Sequence, residues 1–176
     1  MSAPPPENQA SLQDDLDIRG LLADMLDAVA RGDATAWARC WTPDGVWVIP
    51  GYGELVGTEA VTRFAELRGQ YELCVQSLLS GRADFDGDTA TGGTATGRWY
   101  FREVQRVSPG AGTELLGCYD DEYRRTRATE QGGWRFARRR FWILYRGTIT
   151  LDGTVYPPPP RSGTGDVGAL SDRGGR

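Results

Sequence analysis

The chain contains no His, and all twenty of its basic residues are Arg, so Lys is absent as well. These absences limit the chemistry. There is no imidazole base, no Ser-His or Cys-His nucleophile pair, no lysine Schiff base and no phosphate-loop lysine. Acid–base work falls to Asp, Glu, Tyr or Cys. One cluster of such residues stands out: CYDDEYRRT, residues 118 to 126, where Asp120, Asp121 and Glu122 stand between two tyrosines. The surrounding segment reads as a β-strand, and strands tend to exclude Asp and Glu. Three acids together therefore need partners or a task.

Alternation along a strand sends Tyr119, Asp121 and Tyr123 to one face and Asp120 and Glu122 to the other. The segment WRFARRRFWILYR that follows offers Arg135, Arg139, Phe141, Ile143 and Tyr145 on one face. It offers Arg138, Arg140 and Trp142 on the other. Both faces can match acids with arginines, in a register the sequence leaves open. The three cysteines, Cys40, Cys74 and Cys118, are far apart and form no CxxC. Neither a disulfide framework nor a metal site is expected, and Cys74 and Cys118 read as small buried hydrophobes.

The elements that must position these residues follow in order. Residues 1–12 form a Pro-rich leader expected to be disordered. Ile18, Leu21, Leu22, Met25, Leu26 and Val29 make an apolar stripe at helical spacing, predicting a helix from Asp15 to about Ala30. Gly32 ends it, and Asp33 can cap a short helix carrying Trp37 and Trp41. Pro43-Asp44-Gly45 reads as a turn before the strand Val46–Ile49, which Pro50 and the glycine-rich GYGELVG stop. Thr58 can cap a third helix, Glu59 to about Arg68. Strands then follow over 73–85, 89–104, 115–125 and 134–146, with a short last piece over 149–155. Asp86-Gly87-Asp88 is a hairpin turn, and Gly92, Gly93 and Gly97 suggest bulges. From Pro157 a Pro/Gly-rich tail is expected to be disordered. Residues 13–156 thus form one α+β domain, with helices packed on one face of a curved antiparallel sheet.

Composition excludes several classes. At 176 residues and 39% hydrophobic content one core is expected. No apolar run approaches the roughly 18–20 residues of a membrane span. The acidic, Pro-rich N-terminus lacks a signal-peptide pattern, so a cytoplasmic protein is expected. A net charge of -4 argues against nucleic acid. Residues 98–146 hold eleven Arg against six acids. Arginines paired with acids on both strand faces account for that excess; a patch for an anionic ligand or RNA is the other reading.

Taken in order, GDATAWARCWTPDGVWVIP, GTEAVTRF, DFDGDTATGG, GCYDDEYRRT and GGWRFARRR resemble the nuclear-transport-factor-2-like superfamily, in its SnoaL-like (polyketide-cyclase/dehydratase-like) branch. The resemblance runs from about residue 14 to 156. It implies a cone: a strongly curved, mostly antiparallel sheet wrapped around N-terminal helices, with a pocket for a small apolar molecule. It also implies a homodimer or homotrimer and no cofactor. The family's usual bases are missing. The position of the dehydratase Asp is Ala30, that of the dehydratase His falls near Val75 or Gln76, and that of the isomerase Asp is Ile49.

The resemblance places Tyr119, Asp121 and Arg139 on the pocket face. Asp121 would be a half-buried carboxylate held by Arg139, with Asp120 and Glu122 pairing outward with Arg138 and Arg140. Such a pair serves structure as readily as catalysis. Its Arg lowers the Asp pKa while burial raises it. Alternatively Arg139 stabilises a developing oxyanion and Asp121 orients it. Tyr52, in the loop after the first strand near Glu54, could donate a proton. Gln76, Trp47, Tyr100, Phe141, Ile143 and Trp37 are the expected substrate contacts, with Arg102 beside Tyr100. The expected function is a cofactor-free cyclase, dehydratase or isomerase on an apolar oxygenated substrate, in natural-product biosynthesis. The alternatives are a ligand-binding module without catalysis, and a scaffold subunit like the β-subunits of ring-hydroxylating dioxygenases.

Overall fold

Ile18, Leu21, Leu22, Met25 and Val29 are the buried stripe of helix α1 (Pro6–Arg31) in a computed structural model of the chain. The structure describes residues 6–86, 93–126 and 133–158. The helix starts earlier than expected, taking in part of the Pro-rich leader. Its end is as expected: Gly32 has φ 66, and Gly32 and Asp33 send their N–H groups back to Val29 and Ala28 at 3.2 and 3.0 Å. Asp33 then caps α2 (Ala34–Arg39), its Oδ1 accepting the Ala36 N–H at 2.8 Å.

Strand β1 (Trp41–Ile49) begins before Pro43-Asp44-Gly45, which is a bulge inside the strand and not a turn. Trp41 and Val46 are five residues apart on β1 but face Phe136 and Arg138, two apart on the neighbouring strand. GYGELVG does more than stop β1: Gly53–Val56 turns back as strand β2, antiparallel to β1. Helix α3 (Thr58–Arg68) is capped at Gly57, without a side-chain hydrogen bond, so the expected Thr58 cap is not formed.

Four long strands follow as a meander: β3 (Leu73–Asp86), β4 (Thr94–Ser108), β5 (Ala111–Thr126) and β6 (Gly133–Ile149). The sheet order is β2-β1-β6-β5-β4-β3. Every pair is antiparallel except β1 with β6. Helix α1 packs against both β3 and β6, so the sheet curves around it and stays unclosed. Residues 150–158 form no strand, so the expected last piece is only the end of β6. The expected Asp86-Gly87-Asp88 turn past Asp86, Gly92, residues 127–132 and the expected tail beyond Pro158 lie outside the described residues. No described helix is long and apolar enough to cross a membrane.

Candidate active site

The β5–β6 register sets Asp121 directly opposite Arg139, Asp120 opposite Arg140 and Glu122 opposite Arg138. The inner pair closes as a fork: Arg139 Nε donates to Asp121 Oδ1 and Nη2 to Oδ2, both at 2.7 Å. The outer pairings differ from expectation. Asp120 is bridged by Arg98 at 2.7 Å and Arg138 by Glu54 of β2. Two bulges explain the facing of β6. Ala137 is an extra residue between the pairs Glu122/Arg138 and Tyr123/Phe136, and Leu144 is another further along. Strict alternation breaks at each, so Phe136 and Arg139 both point inward and Arg135 does not share their face.

Arg139 is fully buried and Asp121 is 3% exposed. The guanidinium lies between the rings of Tyr119 and Phe136, 3.9 and 4.1 Å from their centroids. Burial works against its charge, but Asp121 outweighs burial and holds the Arg139 pKa above its ordinary value. Asp121 itself does not reach the cavity. Behind Arg139, its Oδ2 also accepts the Tyr123 hydroxyl at 2.7 Å, and that hydroxyl accepts Trp99 Nε1 at 2.8 Å. Asp121 therefore holds Arg139 and Tyr123 in place from behind the cavity wall. Among the described residues the remaining arm of Arg139, Nη1, meets only the Met25 thioether, at 3.5 Å. Sulfur is a weak acceptor, so a cationic donor is left ready at the floor of the cavity that Met25 and Arg139 line.

That cavity, of about 200 Å³, lies between the helices and the concave sheet face. Trp37 of α2 and Phe64 of α3 stack at 4.6 Å, and Trp47 of β1 packs edge-on against Trp37. Opposite them stand Tyr119 and Phe141, with Ile143 further along β6. Gly117 makes room for this wall: a Cβ there would lie 2.5 Å from the Phe101 ring and 2.8 Å from Phe141. Tyr52 lines the cavity from its rim, 47% exposed, with Arg63 over its ring at 4.9 Å. Of the expected contacts, Gln76, Trp47, Phe141, Ile143 and Trp37 all line the cavity. Tyr100 does not; it is 41% exposed on the outer face, and its neighbour Arg102 bridges Glu114 there at 2.5 Å. Trp99 and Phe101 are the inward residues of β4.

The same alternation puts Glu103 inside, a residue the sequence reading passed over. It stands two positions past Phe101, opposite Gln76 in register, and is 5% exposed. Its carboxylate accepts the side-chain amides of Gln76 and Gln105. Burial raises its pKa, against those two hydrogen bonds and the charges of Arg146 and Arg68. Gln76 Nε2 also donates to the Tyr119 hydroxyl at 2.9 Å, while Gln76 Oε1 is buried without a partner among the described residues. Burial likewise pushes the Tyr119 phenol up, so it keeps its proton. No described acceptor takes that proton. Cys74, at the same end, is pushed up to about 12 by burial and is inert as a thiolate. The cavity thus combines a carboxylate of raised proton affinity, a protonated phenol and a buried cation inside aromatic walls.

Fold and site define a cone-shaped protein with an aromatic-walled cavity between its helices and its curved sheet. Residues 10–140 match the model of the SnoaL-like domain, and the chain belongs to that family. Among solved structures, a hexachlorocyclohexane dehydrochlorinase (LinA, type 2) is 22% identical, with 87% of this chain and 95% of that one covered at TM-score 0.63. A scytalone-dehydratase-like protein from Novosphingobium aromaticivorans is 17% identical, covering 88% and 95% at TM-score 0.65. An NTF2-like protein with a cystatin-like fold from the same organism is 26% identical, covering 81% and 92% at TM-score 0.63. No curated protein matches the chain.

Proposed function

We propose that the protein is a cofactor-free lyase or isomerase, of the cyclase or dehydratase kind, acting on a small apolar oxygenated molecule in natural-product metabolism. The observation that carries this is Glu103: a buried carboxylate of raised proton affinity in the same aromatic cavity as the weakly bound Nη1 arm of Arg139. A substrate carbonyl sits at Arg139 Nη1, with the Tyr119 hydroxyl as second donor. Glu103 removes a proton from the adjacent carbon. The C–H electrons become a carbon–carbon double bond, and the carbonyl electrons move onto oxygen, where Arg139 stabilises the charge. Returning the proton to another carbon gives isomerisation. Expelling a hydroxyl group, protonated as it leaves, gives dehydration. Gln76 and Gln105 orient the base, and Asp121 holds Arg139. This assignment moves the base from Asp121, the sequence candidate, to Glu103. Membership of a family whose structural relatives include dehydrochlorinase and dehydratase-like proteins supports the reaction class.

The test is deuterium uptake at the carbon beside the carbonyl of one- and two-ring ketones, such as 1-indanone and 1-tetralone, followed by NMR in heavy water. Wild-type protein is expected to accelerate exchange, and Glu103→Gln to lose about 10²–10⁴-fold, the usual worth of a general base. No acceleration across the panel, or an unchanged Glu103→Gln, overturns the proposal in favour of a binding module.

A further inference from the structure

Three arginines line the cavity, and two of them are already held by strong hydrogen bonds. Arg139 is forked onto Asp121. Arg68 is a clamp: its Nε, Nη2 and Nη1 donate to the carbonyls of Val29, Ala30 and Tyr71 at 2.6, 2.8 and 2.7 Å. Arg146 is different. It lies on β6 opposite Leu115, itself a buried lining residue, so its side chain belongs to the inner face. It is exposed to solvent at the rim and makes no hydrogen bond or ion pair with any described residue. Glu103 lines the same cavity and feels the charge of Arg146, yet no salt bridge joins the two. An inward-facing guanidinium whose five donors meet no hydrogen-bond acceptor among the described residues is a receptor for something that arrives.

We infer that the rim of the cavity is an anion subsite, and that the ligand is a one- or two-ring molecule carrying a single carboxylate that Arg146 binds as a fork. Size sets the body: about 200 Å³ exceeds the roughly 150 Å³ that holds one benzene and falls short of the ~300 Å³ at which drug-sized sites begin. Charge sets the tail. A guanidinium matches the two oxygens of a carboxylate. The nearby Glu103 disfavours a doubly charged phosphate. Bound this way, the ring enters between Trp37 and Phe141 while the carboxylate stays wet at the rim. An anion on Arg146 also relaxes the pull of that cation on Glu103, strengthening the base only when substrate is present. This rests on reading the cavity as the ligand site.

Isothermal titration with 2-naphthylacetate and with its neutral amide, 2-naphthylacetamide, separates the two readings. The acid is expected to bind at least about tenfold tighter than the amide, as one charged hydrogen-bonded contact gives. Arg146→Gln should abolish that preference while leaving amide binding within about twofold, and Arg146→Lys should keep only part of it. Equal binding of acid and amide to the wild type overturns the inference and leaves the cavity reading standing. So does an acid preference that survives Arg146→Gln. Failure of both probes to bind overturns both.

Discussion

Removing one half of the Asp121–Arg139 pair leaves an unpaired charge in a dry core, which costs about 3–5 kcal/mol. Asp121→Asn is therefore expected to lower the midpoint of urea unfolding sharply. Asp121→Leu combined with Arg139→Met should recover most of that stability, since the two replacements fill similar volume without charge. If Arg139 is the oxyanion partner, the double variant folds and still fails in ketone exchange; if it retains exchange, Arg139 is only structural. Glu103 gives a second prediction through pH. Its folded pKa lies above its ordinary value of 4.5, so the folded state holds the proton more tightly than the unfolded chain. The stability this provides is full below about 4.5 and is lost as pH rises through the raised value. Glu103→Gln, which mimics the protonated form, should then be more stable than wild type at neutral pH, with the gap closing on acidification. Exchange should follow the opposite trend, rising as Glu103 ionises. At this scale the sequence was informative about Asp121 and Arg139, because an acid cluster in a strand demands partners. Glu103 stood on an alternating face with Trp99 and Phe101 and was legible by that pattern. Tyr100 and Arg102, one position out of phase, stand on the outer face.

Among the elements, the end of α1 and the cap of α2 were legible, whereas the start of α1 and the cap of α3 were not. Gly32 and Asp33 carry stop and cap signals that depend on nothing outside the local chain, and both act as expected. Asp33→Ala should cost about 1 kcal/mol of stability, read as a lowered thermal midpoint with unchanged cavity binding. The bulges at 42–45, Ala137 and Leu144 were not legible. Each depends on how one strand must shift against its neighbour, a tertiary demand that no local composition encodes. The same holds for β2, which needs β1 beside it before GYGELVG can become a strand. Gly117 tests the cavity wall. Its missing Cβ would press on Phe101 and Phe141 at contact distances of 2.5 and 2.8 Å. Gly117→Ala should displace those rings, destabilise the fold by about 1–3 kcal/mol and weaken ligand binding together. Loss of stability with unaltered binding would place the strain elsewhere.

For the whole molecule, the sheet order β2-β1-β6-β5-β4-β3 has a kinetic consequence. The contacts within β3 to β6 join strands that are adjacent in the chain, whereas Trp41 of β1 meets Phe136 of β6 across almost a hundred residues. Loop closure of that length comes late, because its entropy must be met before any contact rewards it. The meander should assemble first and β1 should dock last, carrying Trp47 and Ile49 into place. The cavity would thus be the final thing to form in refolding. A ligand that needs Trp47 then has no hold on the transition state: it should slow unfolding in a stopped-flow experiment and leave the refolding rate where it was.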